Sequence, residues 1–469
     1  MGTPLSRDVR IALLIGLVSA ALRVAWVAGA HVTPISDFDL YHRHAAKLLE
    51  TGEFGFRGRR AYITPAYPLF LAGVYAVAGG AQKAAQVAQA LLGGVTSGLL
   101  AGLGMRLVSR QTGVIAGLLH TLSPTALSYT ALLASENLAP PLLLGSLLAL
   151  LGSQRASDWR RLLYAALAGS LYAALLLTRP AALFMAPALL LVAVWRPLGP
   201  RWSPVAGIVW VLGFVLTMLP WSLRNQALGL SPLTLTTHGG YSWHRWICKW
   251  YPEDAPDAPA PLPRRLSEQE RNRVASQAVR EWILSHPLDY ARITLVQAAR
   301  AVGTTADGWA VAYIPPTAHR DAHMLAVHNH TQPVGITADE HRAEQLDRDG
   351  ARRAVTRIRR VSAPLALVAA ALCLWRFRTY GMVLLPAVLY LGGVAGTIFI
   401  ERYRELSNPL MMLLIAALLG DLIWDRGDLT PRIRRRTKLI VAGAAVAIAL
   451  LIHAADLTGL LYDYPRLGS

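Results

Sequence analysis

Two carboxylates lie where an apolar stretch of the sequence ends. The segment SDFDLYHRHA, which begins at Ser36, closely follows an apolar run that is long enough to cross a bilayer. Charge so near hydrocarbon is costly, so these carboxylates either only mark the membrane surface or do chemistry there. A helix that begins near this serine places Asp37, Tyr41 and Ala45 on one face. Asp39 points elsewhere, so the shared face carries one carboxylate and one phenol.

Arginines are expected at the same depth as Asp37. Arg224 closes the seventh apolar run, and Arg402 and Arg404 close the ninth. Guanidinium groups match phosphate in a bidentate manner, which favours a phosphate site. The alternative is that these arginines only reach into lipid headgroups. Arg59 could likewise hold an anionic group beside the carboxylate or be part of a solvated turn.

Glu136 and His238 are further candidates. Glu136 lies at the start of the fourth apolar run, where it is either a second carboxylate in a shared cavity or a partner of the helix dipole. His238 begins the flexible turn HGGY, whose backbone could approach a ligand. A histidine cluster suggests a metal at first, but no cysteine or carboxylate spacing supports one. Its members are His319, His323, His328 and His330.

The composition is typical of a membrane protein. Of the 469 residues, 54% are hydrophobic and 16% are charged, whereas soluble domains carry about 25% charged residues. The formal net charge of +18 could indicate nucleic-acid binding. However, the basic residues lie in short clusters between apolar runs, as in loops that face anionic lipid. We therefore expect contact with membrane lipids and no nucleic-acid partner.

The apolar runs predict an all-α polytopic protein with about eleven transmembrane helices, since one span needs about 20 residues. The expected spans are 9–30, 84–106, 112–130, 137–153, 161–178, 180–196, 203–222, 361–377, 380–399, 409–425 and 438–457. Clusters of basic residues fall at alternate connections, which by the positive-inside rule face the cytoplasm. Asp37, Glu136 and Arg402 then lie on the extracytoplasmic face of the plasma membrane. The run 67–80 is too short to cross and predicts an interfacial or re-entrant helix.

Three regions follow from these spans. Residues 1–222 form an N-terminal transmembrane module whose first extracytoplasmic loop is 31–83. Residues 223–360 form an extracytoplasmic mixed domain with amphipathic helices, and 361–469 form the C-terminal transmembrane helices. Within the middle region, the SEQE segment from Ser267 predicts a capping box, and the His-Pro pair at His286 predicts the end of one helix and the start of another.

Seven segments together resemble the membrane glycosyltransferases of the GT-C fold, specifically glycosyltransferase family 39. That group includes protein O-mannosyltransferases and the aminoarabinose transferase that modifies lipid A. The segments occur in the family order up to about residue 415. They are DFDLYHRHAAKLLETGEFGF, TPAYPLFLAGVYAVAGG, SPTALSYTALLASENL, LLTRPAALF, MLPWSLRNQ, THGGYSW and ERYRELSNPLMMLL.

The resemblance assigns roles to several candidates. It implies that Asp37, followed four residues later by Tyr41, is the catalytic carboxylate, and that Glu136 occupies a second acidic position. Arg402 and Tyr403 match an RY motif that contacts the lipid phosphate. The commoner pattern has its second acidic residue directly after the first, and Asp39 departs from it. The candidates are Asp37 and Glu136 as catalytic residues, Tyr41, Asp39, Arg59, Arg224, His238, Arg402, Tyr403 and Arg404 as substrate contacts, and no metal ligand.

Such enzymes transfer a sugar from a polyprenyl monophosphate to an acceptor on the outer side of the membrane. The resemblance therefore implies a polyprenyl phosphate sugar as donor and a lipid, glycan or protein as acceptor. Arginines can stabilise the leaving phosphate, so no metal or other cofactor is expected. A transporter or flippase of lipid-linked sugars is the alternative, but the polar groups at mid-membrane and the related halves typical of transporters are not evident. An inactive structural subunit is a third possibility.

Overall fold

The structure, a computed structural model, describes most of the chain. The described residues are 6–30, 32–56, 58–194, 204–251, 255–263, 265–303, 337–373 and 377–424, together with 443 and 447. The histidine cluster from His319 to His330 lies outside them. Only residues 443 and 447 of the eleventh expected span are described.

The described residues form sixteen α-helices and no strand, with a single isolated bridge between Phe56 and Arg59. The helices are α1 Arg7–Gly29, α2 Asp37–Thr51, α3 Ala66–Ala78, α4 Gln82–Leu107, α5 Arg110–Thr121, α6 Pro124–Tyr129, α7 Ala139–Arg155, α8 Arg160–Leu176, α9 Ala186–Val194, α10 Pro204–Ala227, α11 Gly239–Cys248, α12 Glu268–Ser285, α13 Pro287–Val302, α14 Ala338–Cys373, α15 Phe377–Gly396 and α16 Arg404–Trp424. Short 3₁₀ helices cover Ser135–Asn137, Pro180–Met185 and Glu401–Tyr403. The all-α prediction is confirmed.

Three of these helices, α1, α4 and α10, are long and apolar enough to cross a membrane. The chain is a multi-pass membrane protein, but the count of eleven spans is not confirmed. The expected third span is divided, because α5 ends at Thr121 and α6 begins at Pro124. Proline disfavours helical backbone at the residue before it, and the Ser123 hydroxyl instead accepts a hydrogen bond from the amide of Ala126.

Small residues allow the long helices to approach closely. A Cβ atom added at Gly94 of α4 would lie 2.6 Å from the carbonyl oxygen of Gly16 in α1. The leucines of α1 that lie away from this contact, such as Leu13 and Leu17, are exposed. Close backbone packing through glycine, with leucine on the outer surface, is typical of helices in lipid.

The described residues of the region after α10 form helices joined by turns and loops and no strand, so the expected mixed composition is not confirmed. The capping box between Ser267 and Glu270 is confirmed, as is the change of helix at His286. A small aromatic core of this region contains Trp250, Val279 and Trp282. Helix α14 runs without interruption through residue 360, where the sequence predicts a domain boundary.

Candidate active site

Residues from six distant segments line one cavity of about 330 Å³. The segments are the start of α2, the loop before α3, the start of the 3₁₀ helix Ser135–Asn137, the residues around the 3₁₀ helix Pro180–Met185, the start of α11 with the residues before it, and the end of α15 with the following turn. The lining residues that carry polar or aromatic groups are Asp37, Tyr41, Tyr62, Thr64, Ser135, Thr178, Arg179, Phe184, Thr236, His238, Ser242, Trp243, Thr397, Arg402 and Tyr403.

Helix α2 presents its residues as the spacing predicts. It begins at Asp37, and the Tyr41 hydroxyl lies 3.5 Å from the Ser135 hydroxyl on the cavity side. Asp39 lies on another face, where its carboxylate accepts a hydrogen bond from Arg43 at 2.6 Å. The structure therefore places Asp39 away from the cavity. Burial is the main cause that raises the pKa of Tyr41 to about 12, so its phenol keeps its proton.

Asp37 and Arg402 meet across the cavity although they are 365 residues apart. The Nη2 atom of Arg402 lies 2.5 Å from Oδ2 of Asp37, and 39% of the aspartate side chain stays exposed. Burial alone would raise the pKa of Asp37, but the charge and hydrogen bond of Arg402, with smaller effects of His238 and Arg179, lower it. Asp37 is therefore a carboxylate, and it is accessible from the cavity.

Glu136 lies behind the cavity wall. Its side chain is 2% exposed, and its Oε1 atom lies 2.6 Å from Nη1 of Arg179 and 3.8 Å from Nε of Arg402. It lies in the 3₁₀ helix Ser135–Asn137, which comes just before α7. In this structure Glu136 is thus a shared partner of two arginines, and it does not line the cavity that contains Asp37.

His238 and Tyr62 form an aromatic part of the cavity wall. Their ring centroids are 4.1 Å apart, and Nε2 of His238 lies 3.4 Å from the Tyr62 hydroxyl. Burial lowers the pKa of His238 to about 4, although the nearby Asp37 carboxylate acts to raise it. The imidazole is therefore neutral at pH 7. Arg59 does not line the cavity; its guanidinium lies 4.2 Å from the ring centroid of Tyr62.

Arg224 and Arg404, two of the predicted phosphate ligands, lie elsewhere. The Arg224 guanidinium donates to the carbonyl oxygens of Phe54 at 2.7 Å and Arg60 at 2.9 Å. Arg404 is buried and donates to the carbonyl oxygen of Gly303 at 2.9 Å. Neither residue lines the cavity, so both hold the main chain in this structure.

Arg179 is the residue that the sequence-based set of candidates omits. It directly precedes Pro180 at the end of the fifth expected span, and its guanidinium lies 5.0 Å from the ring centroid of Tyr403. An arginine at the expected extracytoplasmic end of a span, inside the segment LLTRPAALF, was the signal that could have identified it. The structure brings Arg179, Arg402 and Tyr403 together with Asp37 at one cavity.

Within the described ranges, no three histidine, cysteine or acidic side chains lie together in a way that could hold a metal ion. Two guanidinium groups beside a carboxylate and a phenol can instead bind an anion and exchange a proton.

Comparison with solved structures decides the fold. The oligosaccharyltransferase of Archaeoglobus fulgidus superimposes with a TM-score of 0.51 at 14% identity, and the alignment covers 99% of this chain and 56% of that chain. The chain has the GT-C fold. It spans little more than half the length of that enzyme. ArnT from Cupriavidus metallidurans, in a structure with bound undecaprenyl phosphate, matches less closely, with a TM-score of 0.40, 13% identity and coverage of 84% of this chain and 77% of that chain.

A family model described as dolichyl-phosphate-mannose-protein mannosyltransferase matches residues 63–222. That segment includes Glu136 and Arg179 but neither Asp37 nor Arg402. No curated protein sequence matches the chain.

Proposed function

We propose that this GT-C protein is a membrane glycosyltransferase that takes a sugar from a polyprenyl monophosphate. The ion pair between Asp37 and Arg402, open to a cavity, is the observation that supports this most. The description of the matching family model names mannose carried on dolichyl phosphate, which is a donor of this class. The cavity contains the two groups that such a reaction needs, a cation for the phosphate and a carboxylate for the acceptor proton.

The donor phosphate binds at Arg402, with Arg179 as the second cation of the cavity. Both guanidinium groups have carboxylate partners, and phosphate oxygens offer the same bidentate geometry. A phosphate that takes over part of the Arg402 interaction weakens its hold on Asp37. The pKa of Asp37 then rises from its lowered value, which makes the carboxylate a better base.

Transfer then takes place in a single displacement. The acceptor hydroxyl attacks the anomeric carbon, Asp37 takes its proton, and the bond from this carbon to the phosphate oxygen breaks with its electron pair on the phosphate. Arg402 stabilises the charge that develops on this leaving group. One displacement inverts the anomeric configuration. The reaction needs no divalent metal, because one phosphate can be neutralised by arginine.

Other parts of the structure are consistent with the acceptor entering from the side of α11. His238, Ser242 and Trp243 line the cavity there, and they belong to the region that follows α10. A lipid, a glycan or a protein hydroxyl can serve as acceptor. We place this cavity on the extracytoplasmic side of the plasma membrane. Clusters of basic residues fall at every second connection between the expected spans, and by the positive-inside rule those connections face the cytoplasm; the cavity residues lie at the other connections.

The direct test is transfer by the purified protein from a panel of synthetic polyprenyl phosphate sugars, with and without chelator. We expect one donor to be consumed, free polyprenyl phosphate to be released and the product to have inverted configuration, with equal rates in both conditions. Activity that is lost with chelator contradicts the metal-free reaction. Movement of a lipid-linked sugar across proteoliposomes without any transfer contradicts the proposed enzyme and favours a flippase.

A further inference from the structure

One carboxylate outside the cavity joins the two loops that carry the aromatic part of the cavity wall. Glu268, the first residue of α12, accepts hydrogen bonds from the main-chain amides of Arg60 at 2.7 Å and Ala61 at 3.1 Å. The same carboxylate accepts a hydrogen bond from the hydroxyl of Thr237. Residues 60 and 61 belong to the loop before α3, and residue 237 lies just before α11. One side chain thus holds two segments that are remote in sequence.

The capping of α12 does not depend on this carboxylate. The Ser267 hydroxyl accepts a hydrogen bond from the amide of Glu270, and the Glu270 carboxylate accepts one in return from the amide of Ser267. Glu268 lies between these two residues and is directed to the loops instead. A carboxylate only accepts hydrogen bonds, which suits three converging donors, whereas a side-chain amide would present a donor to one of them. The contacts therefore favour a carboxylate at position 268.

Further hydrogen bonds continue from this carboxylate to the cavity. The amide of Thr237 donates to the carbonyl oxygen of Ala61 at 2.8 Å. The hydroxyl of Thr236 donates to the carbonyl oxygen of Tyr62 at 2.5 Å and accepts a hydrogen bond from the amide of His238 at 3.1 Å. The two aromatic residues of the cavity wall, at positions 62 and 238, are thus each one residue beyond a group that the carboxylate binds.

Helix α12 also fixes the position of the HGGY turn. Asn272 is four residues after Glu268, on the same face of the helix, and its Oδ1 atom accepts a hydrogen bond from the amide of Gly240 at 2.8 Å. A Cβ atom added at Gly240 would lie 2.7 Å from the main-chain oxygen of Asn272, so a larger residue would push α11 away from α12. One face of α12 therefore holds both the loop before α3 and the turn that begins at His238.

We propose that Glu268 is a positioning residue, which clamps the loop before α3 to the segment before α11 and so holds the rings of Tyr62 and His238 in the shape that receives the acceptor. Glu268 is not among the residues that line the cavity, so it acts through the main chain. The assignment to the acceptor rests on the proposed function, in which the donor phosphate binds at Arg402 and the acceptor enters from the side of α11. The clamp itself rests on the hydrogen bonds alone.

Hydrogen–deuterium exchange of the protein in detergent, measured by mass spectrometry, tests the clamp without an activity assay. The variant is Glu268→Gln, which keeps the size of the side chain but replaces one acceptor oxygen by an NH₂ group. We expect the amides of peptides from 59–64 and 236–240 to exchange about tenfold faster, because the loss of a hydrogen bond to a charged group favours local opening.

The matched control is Glu270→Gln, which makes the same change of charge two residues later. Its hydrogen bonds are to Ser267, so it should speed exchange only at the start of α12. Unchanged exchange of the two loops in Glu268→Gln would overturn the clamp, as would an equal acceleration of the loops in the control.

A second variant covers the case in which Glu268→Gln does not fold. Thr237→Val keeps nearly the shape of the side chain and removes only the hydroxyl that donates to the carboxylate. Faster exchange confined to the two loops supports the clamp, and unchanged exchange contradicts it.

Kinetics with both substrates test the positioning role. In Glu268→Gln we expect the KM for the acceptor to rise several-fold, with the KM for the donor unchanged. A merely structural role lowers the amount of active protein, and therefore the apparent kcat, while both KM values stay the same, as we expect for Glu270→Gln. An unchanged acceptor KM in Glu268→Gln would overturn the positioning role. If the wild type transfers no sugar at all, the proposed function fails, while the exchange data still decide whether the clamp exists.

Discussion

Two pairs of arginines lie near the ends of helices, and they differ in their partners. Arg179 and Arg402 line the cavity and pair with carboxylates, whereas Arg224 and Arg404 donate to carbonyl oxygens of the main chain. A carbonyl oxygen is fixed by the fold, so an arginine bound to it stabilises a loop. A carboxylate partner such as Asp37 can be exchanged for a phosphate, because both anions accept the same pair of hydrogen bonds. Under the proposed function, the partner of an arginine, more than its residue type, separates the arginines that bind the donor phosphate from those that hold the main chain.

If a donor phosphate exchanges with Asp37 at Arg402, Asp37 is required for transfer. Replacing it by asparagine keeps the volume but removes both the base and the anionic partner of Arg402. We expect transfer to fall by about 10²–10⁴-fold, the usual contribution of a positioned general base. The measurement is the single-turnover rate with a saturating polyprenyl phosphate sugar.

The matched control for this change is Asp39→Asn. Asp39 is in the same turn of α2, but it pairs with Arg43 on another face. It should keep nearly full activity. Equal losses in the two variants would show that the start of α2 matters only as a folded element, and Asp37 would then lose its assigned role.

Lysine substitutions compare the two kinds of arginine directly. Lysine keeps the charge but cannot form a bidentate pair, so Arg402→Lys should lower kcat/KM for the donor by about 10–100-fold, equivalent to the loss of one charged hydrogen bond. Arg224→Lys should leave kcat/KM per folded molecule unchanged and lower the free energy of unfolding by about 1 kcal/mol, since a lysine cannot bond both carbonyl oxygens. Donor kinetics and thermal unfolding in detergent measure the two effects. If Arg224→Lys lowers kcat/KM for the donor while Arg402→Lys lowers only the free energy of unfolding, the partner of an arginine does not indicate its role.

The positions of the cavity residues on α2 and in the RY segment could be predicted from the sequence. The four-residue spacing of Asp37 and Tyr41 fixes a shared helix face, and the RY segment predicts that Arg402 and Tyr403 lie at the same membrane depth. The depth of a residue in the membrane can be predicted from hydropathy, because the length and the ends of an apolar run depend only on the local sequence. The structure confirms that these side chains share one cavity.

The partners of the arginines could not be predicted in this way. The carbonyl oxygen of Phe54 is 170 residues from Arg224, and that of Gly303 is 101 residues from Arg404. Which of two arginines at equal depth turns toward a carboxylate depends on the packing of helices that are remote in sequence. The break before Pro124 was missed for another reason: the apolar run continues through it, and hydropathy alone does not register the restricted backbone before proline.

The neutral state of His238 provides a test on the wall of the same cavity. Burial lowers its pKa from 6.5 to about 4, so the unfolded chain binds more protons than the folded chain between these values. Stability from this residue is therefore present above pH 6.5 and is lost as the pH falls toward 4. The unfolding midpoint of the wild type should fall more steeply from pH 7 to pH 5 than that of His238→Gln. Parallel curves would mean that other groups cause the acid sensitivity.

The smallest expected effect concerns the backbone that holds Asp37. Ser36 has φ of 55° and is the one non-glycine residue with positive φ among the residues described, and its hydroxyl does not cap α2. Such a conformation costs on the order of 1–3 kcal/mol, and glycine adopts it without strain but gives back about 0.5–1 kcal/mol through the greater freedom of the unfolded chain. Ser36→Gly should therefore stabilise the protein by about 1 kcal/mol in thermal unfolding. Ser267→Gly is the control, because Ser267 caps α12 at φ of −60° and should lose a few tenths of a kcal/mol. A loss of stability in both variants would show that the backbone at Ser36 is unstrained. The start of α2, which carries Asp37, would then be no more rigidly held than any other exposed helix start.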